Sequence, residues 1–365
     1  MHDVVVVGGG VIGLAIAREV SRNHSVVVLE RGSVGEGTSW AAAGMLSPQS
    51  EADRAGPFFE FSLASFNMFE RFTADLNAES GIDAGYERSG LLVLASNEEE
   101  SAVLGLRAEW QQRDGFSAEI ISRAQALERE PLLTADFRDA LFLPNDQQVN
   151  PRRLVASLAE SCRRRGVEIR SETAVTGVLS NAGRVTGVIG NGDVIPARQV
   201  VLSAGVWSGT IDGLAPRIPV YPRKGQILSL QMPERTFRHM IRWRHAYFVP
   251  RPDGDLVVGA TDENVGFDRS LTPAGIGRLL SDAQQMSSHV GSYAIRETWS
   301  GLRPGTPDEL PVIGESAVKG LIYATGHYRN GILLAPLTAV IIAALIDGSR
   351  PPAAIEAFSP MRWTV

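Results

Sequence analysis

The chain has 365 residues, of which 44% are hydrophobic and 21% charged, as in a globular protein large enough for two domains. With 35 basic and 41 acidic residues, the formal net charge is −6, so we expect no general attraction to nucleic acid or anionic lipid. Cys162 is the single cysteine, which excludes an intrachain disulfide and fits a reducing cytoplasm.

The chain begins with a pattern typical of a dinucleotide-binding βαβ unit. Residues 4–7 are four valines, which favour a short strand buried on both faces, and residues 26–29 have the same character. Between them, Gly8, Gly10 and Gly13 have the spacing Gly-x-Gly-x-x-Gly. Gly8 permits a tight turn, Gly10 lets a pyrophosphate approach the backbone, and Gly13 allows the helix to pack closely on the strand. Because the unit starts at residue 3, we expect no targeting segment before it.

Glu30 follows the second strand, where a carboxylate can accept a hydrogen bond from a ribose 2′-hydroxyl. The helix that follows the glycines would offer free N–H groups to phosphates at its N-terminus. The order of strand, glycines, helix, strand and acid therefore predicts a dinucleotide site and disfavours NADP. It does not identify the dinucleotide or the reaction.

Downstream of Glu30 the chain alternates between loop, helix and strand patterns. Residues 32–48 are rich in Gly, Ser, Thr and Ala and suit close contact with a bulky ligand. Helices are predicted at 57–80, 97–114, 122–130, 152–165, 272–287 and 332–346. Strands are predicted at 90–95, 167–170, 175–179, 183–190, 194–196, 200–202, 226–231, 246–250, 256–261 and 321–325. Hairpin turns are predicted at Asn191-Gly192 and Asp253-Gly254.

The sequence disfavours an integral membrane protein, a metalloprotein and a serine hydrolase. Segment 332–346 is the most apolar, but it is shorter than the roughly 20 residues that span a bilayer and it contains Pro336 and Thr338. It predicts a buried core helix, and we expect no integral membrane segment. The histidines show no metal-ligand spacing, and no Gly-x-Ser-x-Gly is present, so neither a metal site nor a serine hydrolase is predicted.

Helix and strand alternate at both ends of the chain, whereas the segments between them are rich in strands. This order predicts a discontinuous nucleotide-binding domain and a second, mostly antiparallel domain. The nucleotide-binding domain is expected to comprise residues 1–85, 145–222 and 300–365. The substrate domain is expected to comprise residues 86–144 and 223–299.

Motifs far downstream resemble those of one family. The most specific are Gly-Leu-Arg-Pro-Gly-Thr at 301–306 and Gly-His-Tyr-Arg-Asn-Gly at 326–331. Together with segments 38–46, 203–208, 245–251 and 258–261 they resemble the D-amino-acid-oxidase-like flavoproteins, and within these the glycine oxidases of thiamine biosynthesis. The resemblance covers essentially the whole chain. It implies an α/β fold with a discontinuous Rossmann-like FAD-binding domain and a mostly antiparallel β-sheet substrate domain with flanking helices.

The resemblance also implies FAD, bound non-covalently, as the cofactor. A physical argument supports part of this, because Gly331 opens an apolar helix whose positive end would lie near the flavin edge that becomes negative on reduction. The residues that the resemblance assigns to FAD are Gly8, Gly10, Val11, Ile12, Gly13, Glu30, Arg31, Thr38, Ser39, Ala43, Gly44, Met45, Val175, His327, Tyr328, Arg329, Asn330, Gly331, Ile332 and Leu333.

An amino-acid substrate would bring a carboxylate into a mostly apolar pocket, where it needs a cationic partner. Arg303 and Arg329 match the family's substrate-contacting arginines, and a guanidinium can hold a carboxylate through two hydrogen bonds. Tyr247 would add a hydroxyl to the same group, and His245 would line the pocket. The alternatives are a structural ion pair for Arg303 and a half-buried strand residue for Tyr247.

The implied reaction is oxidation of glycine, sarcosine or a small D-amino acid by hydride transfer from Cα to flavin N5. The imine would give a 2-oxoacid and ammonia, and O₂ would be reduced to H₂O₂. One alternative is a D-amino-acid or sarcosine dehydrogenase with another acceptor, and a second is a non-catalytic FAD-binding protein. The resemblance further implies a homotetramer. Asp262 departs from the family pattern; facing the substrate it would favour an amine or disfavour an acidic side chain, and facing solvent it would have no role.

Overall fold

Residues 2–52 and 54–363, which a computed structural model describes, form two large sheets with helices packed against them. The strands are β1 (His2–Val7), β2 (Val26–Leu29), β3 (Met45–Leu46), β4 (Leu91–Ala95), β5 (Glu119–Ser122), β6 (Asp139–Leu143), β7 (Gln147–Gln148), β8 (Glu168–Arg170), β9 (Val175–Asn181), β10 (Arg184–Gly190), β11 (Asp193–Leu202), β12 (Tyr221–Gln231), β13 (Met240–Trp243), β14 (Ala246–Pro250), β15 (Asp255–Gly259), β16 (Ala294–Gly305), β17 (Val312–Glu315) and β18 (Leu321–Thr325).

Helices connect these strands and cover the sheets. The α-helices are α1 (Val11–Val20), α2 (Thr38–Ala41), α3 (Pro48–Glu51), α4 (Pro57–Phe66), α5 (Phe69–Ser80), α6 (Glu98–Arg113), α7 (Arg123–Arg129), α8 (Pro151–Arg164), α9 (Pro273–Met286) and α10 (Gly331–Ile346). Short 3-10 helices lie at Gly205–Thr210, Ser288–Ser292, Glu356–Phe358 and Pro360–Trp363.

The first sheet has the strand order β17-β18-β11-β1-β2-β8, with parallel pairing from β18 to β8. Along β1, Val4 and Val6 pack into the core formed with α1, α8 and α10. Val5 and Val7 pack on the other face, against the meander of β9, β10 and β11. Both faces are therefore buried, which is why the valine run does not alternate with polar residues.

The second sheet has the order β16-β12-β15-β14-β13-β4-β6-β5, and its neighbours are antiparallel except for β13 and β4. One face packs on α9 through residues such as Leu228, Phe248 and Leu279. The predicted α/β fold class is confirmed. The predicted domain boundaries at residues 222 and 299 fall inside β12 and β16, and the division into domains stays a prediction.

Several predicted elements differ in detail from those observed. The helix predicted at 57–80 is two helices, α4 and α5, which meet at Asn67 and Met68. The strands predicted at 194–196 and 200–202 are one strand, β11, which pairs first with β10 and then with β1. The sequence pattern does not predict β16, because Gly301, Pro304 and charged residues interrupt its apolar alternation. It also does not predict β3, β5, β6, β7, β13 and β17.

The predicted hairpin at residues 191–192 is confirmed, since Gly190 pairs with Asp193 and both turn residues have positive φ angles. The apolar segment near the C-terminus forms α10, and most of its side chains are buried. Among the residues that the structure describes, no helix has both the length and the apolar character that crossing a membrane requires.

Candidate active site

Two adjoining cavities lie beside the sheets: the first at the carboxyl ends of the parallel strands β1, β2, β11 and β18, and the second against the mostly antiparallel sheet. The first has a volume of about 660 Å³ and the second about 490 Å³. Both are lined by Thr38, Ala42, Gly301, Tyr328, Arg329 and Ile332. A ligand in the first cavity would therefore meet a ligand in the second at this shared wall.

The glycine-rich turn between β1 and α1 forms one wall of the first cavity. Gly8 has φ +108°, and a β-carbon there would be 2.5 Å from the carbonyl oxygen of Ser203. A β-carbon at Gly13 would be 1.9 Å from the carbonyl oxygen of Gly8, so Gly13 allows the helix to pack on its own turn. Gly13 does not line the cavity, and its contribution is packing.

Glu30 lies on the cavity wall with its carboxylate fixed by backbone N–H groups. Gly9 N–H donates to Oε2 at 2.7 Å, and Gly32 N–H donates to Oε1 at 3.1 Å. The N-cap residue of α1, Gly10, has no side chain, and the N–H of Val11 donates to the Ser39 hydroxyl at 3.0 Å. The wall thus combines a helix N-terminus, which attracts phosphate, with an oriented carboxylate, which accepts hydrogen bonds from hydroxyl groups.

An aromatic stack borders the same cavity. The Arg31 guanidinium lies 3.6 Å from the centroid of Trp207, and Trp207 stacks on Phe267 with ring centroids 4.3 Å apart. Arg31 and Trp207 line the cavity. The cation–π contact fixes the Arg31 guanidinium on the cavity wall.

The N-terminus of α10 points at the boundary between the two cavities. Asn330 is its N-cap residue, and Gly331 and Ile332 begin the helix. His327 also lines the first cavity, and complete burial lowers the pKa of this imidazole to about 3, so it is neutral at ordinary pH. Because this histidine is neutral, the positive potential there comes from the helix dipole and from Arg329, which lines both cavities.

Arg303 is the central cation of the second cavity. Its guanidinium lies across Gly225 of the neighbouring strand, because a β-carbon at that glycine would be 2.4 Å from Nη2 and 2.8 Å from Nη1. Nη1 also donates to the carbonyl oxygen of Thr261 at 3.2 Å. These backbone contacts fix the guanidinium. The Arg303 side chain remains 18% exposed and lines the cavity.

Tyr247 faces the same cavity from β14. Its ring lies over Gly259, where a β-carbon would be 2.3 Å from the tyrosine oxygen. Loss of contact with water raises the pKa of the hydroxyl, so Tyr247 stays protonated and can donate a hydrogen bond. His245 also lines the cavity, but it is exposed.

Asp262 lies between the predicted substrate arginines, at distances of 3.3 Å from Arg329 and 3.8 Å from Arg303. Its firmest partner is Arg223, whose Nε and Nη2 lie 3.0 and 2.9 Å from the two carboxylate oxygens. Burial raises the pKa of Asp262, but the hydrogen bond from Arg223 and the charges of Arg223, Arg303 and Arg329 outweigh this, so the pKa lies below its ordinary value. The carboxylate faces the cavity and is ionised at ordinary pH.

All but two of the predicted site residues line one or both cavities. Those that line the first cavity are Gly8, Gly10, Val11, Ile12, Glu30, Arg31, Thr38, Ser39, Val175, His327, Tyr328, Arg329, Gly331 and Ile332. Those that line the second are Thr38, Ala43, Gly44, Met45, His245, Tyr247, Arg303, Tyr328, Arg329, Asn330 and Ile332. Gly13 and Leu333 line neither cavity. The roles assigned to all these residues stay predictions.

Sequence reasoning missed several residues of the second cavity. Arg242, Arg244 and Arg278 line it, and the first is paired with Glu51 at 3.2 Å. Gly225 also lines it and had a usable signal, because a glycine inside a strand pattern often marks a close approach by another group. The arginines had none, since charged residues on strands and helices are usually solvated.

The first cavity meets the requirements of FAD. Glycines at the β1–α1 turn leave room for a pyrophosphate, Glu30 offers acceptors for ribose hydroxyls, and the α10 N-terminus faces the shared wall. A long dinucleotide can thus lie in the first cavity with its far end at the second. In the part of the chain that the structure describes, no group of three or more His, Cys, Asp and Glu side chains could hold a metal ion.

The fold and the joined cavities have the organisation of a dinucleotide-dependent oxidoreductase. A family model described as FAD dependent oxidoreductase matches residues 3–345, and the chain belongs to that family. The predicted family and the predicted cofactor, FAD, are confirmed.

Several relatives align with nearly the whole chain. The bifunctional protein ThiO/ThiG of Nostoc sp. is 39% identical over 350 residues, which are 94% of this chain and 52% of that protein. The chain therefore spans about half the length of the ThiO/ThiG relatives that it matches. The glycine oxidase of Geobacillus kaustophilus is 34% identical over 99% of this chain and 97% of that protein. Its crystal structure matches with a TM-score of 0.95, covering 99% and 98% of the two chains.

Proposed function

We propose that this protein is an FAD-dependent oxidase of glycine and of similarly small amines and D-amino acids, such as sarcosine and D-alanine. The observation that carries the proposal is the meeting of Arg303, Arg329 and Tyr247 in a small cavity that adjoins the dinucleotide cavity. Likeness to glycine oxidases over nearly their whole length supports the same substrate. For glycine or D-alanine the products would be the imine, which water converts to a 2-oxoacid and ammonia, and H₂O₂; for sarcosine, oxidised at its carboxylate-bearing carbon, methylamine would replace ammonia.

Arg303 and Arg329 are proposed to bind the substrate carboxylate. Both line the second cavity, and a pair of guanidinium groups offsets the cost of removing a carboxylate from water. Tyr247, which keeps its proton, would donate a third hydrogen bond. Held by these contacts, a small amino acid would lie beside the shared wall, and orientation of this kind would be the protein's main contribution to hydride transfer.

FAD would be held non-covalently. The residues that would hold it are those of the β1–α1 turn, Glu30, and the N-terminus of α10. When bound, its flavin ring supplies the acceptor for the hydride from the substrate's Cα. Cys162 lines neither cavity, is fully buried, and donates from its sulfur to the carbonyl of Leu14 at 3.3 Å, so it supports no thioether link.

O₂ as the electron acceptor, a place in thiamine biosynthesis, a homotetramer and a cytoplasmic location are parts of the same proposal. Likeness to the ThiO/ThiG proteins supports the pathway. The single, buried cysteine supports a reducing compartment.

The test is a panel of glycine, sarcosine, D-alanine and simple amines, scored by H₂O₂ release and by anaerobic bleaching of the flavin. We expect glycine to bleach the flavin and to release H₂O₂ in air. Bleaching without H₂O₂ would point to a dehydrogenase that uses another acceptor. No bleaching by any member would favour the non-catalytic FAD-binding alternative.

The Arg303→Ala variant connects the activity to the site. Loss of one partner of a buried carboxylate pair costs roughly 2–5 kcal/mol, so kcat/KM for glycine should fall by at least about 30-fold while FAD content is retained. Arg296→Ala is the matched control, because Arg296 lies on the same strand, pairs with Asp255 at the surface and lines neither cavity. Equal kinetics in the two variants would contradict the assignment of Arg303.

A further inference from the structure

We propose that Asp262 shapes substrate specificity by disfavouring ligands that carry a second negative charge, which gives a preference for monocarboxylic amino acids. This inference rests on the proposed function, because it concerns the cavity in which the amino acid would bind. It starts from the position of the Asp262 carboxylate, which lies within 4 Å of the guanidinium groups of both Arg303 and Arg329.

The first step is that Asp262 stays in the cavity when a ligand binds. Arg223 holds both carboxylate oxygens, at 3.0 and 2.9 Å, and these distances are shorter than those to the two cavity arginines. Arg223 itself is fixed on β12, directly opposite Arg303 of β16. A ligand carboxylate would therefore share Arg303 and Arg329 with Asp262 and would not displace it.

The second step is a balance of charge. Three guanidinium groups and one aspartate leave two positive charges in this cluster, and the carboxylate of an amino acid uses one of them. Two other cations on the cavity wall have carboxylate partners of their own, Arg242 with Glu51 at 3.2 Å and Arg278 with Asp282 at 3.7 Å. A third, Arg244, lies over the Trp243 ring and has no carboxylate partner among the described residues. Asp262 thus lowers the charge that remains in the cluster for a second carboxylate from two to one, and it repels a carboxylate held near Arg303 and Arg329.

The third step is the size of the effect. The Asp262 side chain is 34% exposed, so its interaction with a second ligand charge is weakened by water but not abolished. At the effective dielectric of such a site, a like charge within several ångströms changes affinity by about tenfold. The effect should shrink as salt rises from 0.05 to about 0.5 M, because part of the interaction is screened.

The experiment compares two inert ligands, acetate and malonate, by titration of the holoenzyme and observation of the bound flavin's absorbance. In the Asp262→Asn variant we expect malonate affinity to rise by about tenfold relative to acetate affinity, and the gain to fall at high salt. In parallel, kcat/KM for D-aspartate should rise relative to D-alanine by a similar factor. The Asp262→Glu variant, which keeps the charge, should retain the wild-type preference.

The matched control is Asp268→Asn. Asp268 lies on the same connection between β15 and α9, is 50% exposed, and faces Lys224 at 3.5 Å instead of the cavity arginines. It should leave the ratio of malonate to acetate affinity unchanged. The same gain in both variants would show a general charge effect and would overturn the proposal.

Two other results would also overturn it. An unchanged ratio in Asp262→Asn would show that Asp262 does not sense the ligand's charge. Weaker acetate binding in that variant would show that Asp262 positions Arg303 and Arg329 instead. Because the titrations need no turnover, a holoenzyme that binds acetate but does not oxidise glycine would contradict only the proposed function.

Discussion

The guanidinium of Arg303 occupies the space that a side chain at residue 225 would fill, and Gly225 is the residue that leaves it empty. A β-carbon at residue 225 would be 2.4 Å from Nη2 of Arg303 and 2.7 Å from Cζ. The two residues lie on adjacent antiparallel strands, β12 and β16. The position of the cation therefore depends on an absent side chain as much as on the arginine.

Gly225→Ala should impair substrate binding more than folding. The group that must shift is the end of a flexible side chain, so the backbone can stay in place while the guanidinium moves. We expect FAD content and thermal stability close to wild type and a KM for glycine raised by about tenfold or more, equivalent to roughly 1.4 kcal/mol. Steady-state kinetics and flavin absorbance measure the two properties.

Gly277→Ala is the control for this substitution. Gly277 lies within α9, and a β-carbon there would meet no atom within 4 Å. Alanine also favours a helix over glycine, so this variant should be as active as wild type and slightly more stable. A KM for Gly225→Ala within twofold of that for Gly277→Ala would show that the guanidinium does not need this space.

The nucleotide-binding half of the fold was predictable because its signals are local. The valines of β1, the glycines that follow and Glu30 lie within thirty residues, and each has one physical reason to be there. Strand β11 shows the limit of this reasoning. Its two predicted halves pair with different partners, and Pro196 separates them in the sequence although the strand continues.

The second cavity was less predictable because its wall comes from distant segments. The motif around Arg303 indicated a substrate arginine, but strand β16, which carries it, has no apolar alternation. Without that strand, the register that places Arg223 opposite Arg303 could not be read from the sequence. The contact of Asp262 with both arginines was left open for the same reason, since it depends on how three strands align.

Ser65 supports α10, the helix whose N-terminus borders the two cavities. The contact lies at the turn of α10 that contains Pro336. The Ser65 hydroxyl donates to the carbonyl of Leu333 at 2.7 Å and accepts from the N–H of Leu337 at 3.3 Å. Ser65→Ala should lower the free energy of unfolding by about 1–3 kcal/mol, because it leaves buried backbone groups with fewer partners. Chemical denaturation with urea measures the change.

Ser62→Ala provides the comparison for Ser65→Ala within the same helix, α4. Both serines are buried, but the hydroxyl of Ser62 has no hydrogen-bond partner among the described residues. Its removal should leave stability unchanged or raise it, since a buried unpaired hydroxyl has a desolvation cost. Equal losses in the two variants would mean that packing of the serine, and not the link to α10, determines the effect.

The burial of Asp146 leads us to expect that the protein loses stability as the pH rises. Its side chain is fully buried, and within residues 2–52 and 54–363 neither carboxylate oxygen has a partner in good hydrogen-bond geometry. Burial raises the pKa of Asp146 to about 8; the Ser47 hydroxyl lowers it and the charge of Glu51 raises it further. The folded state thus keeps a proton that the unfolded state releases near its ordinary pKa of 3.8.

The direction in which stability changes with pH follows from this difference in bound protons. The contribution of Asp146 to stability is complete below about pH 3.8, declines as pH rises, and is lost above pH 8, with a slope of up to roughly 1.4 kcal/mol per pH unit. Asp146→Asn cannot ionise, so its stability relative to wild type should rise continuously between pH 4 and 8. Asp136→Asn, at a fully exposed aspartate, should follow the wild-type curve. Urea unfolding across this range measures all three proteins, and a constant difference between Asp146→Asn and wild type would mean that Asp146 ionises alike in the folded and unfolded states.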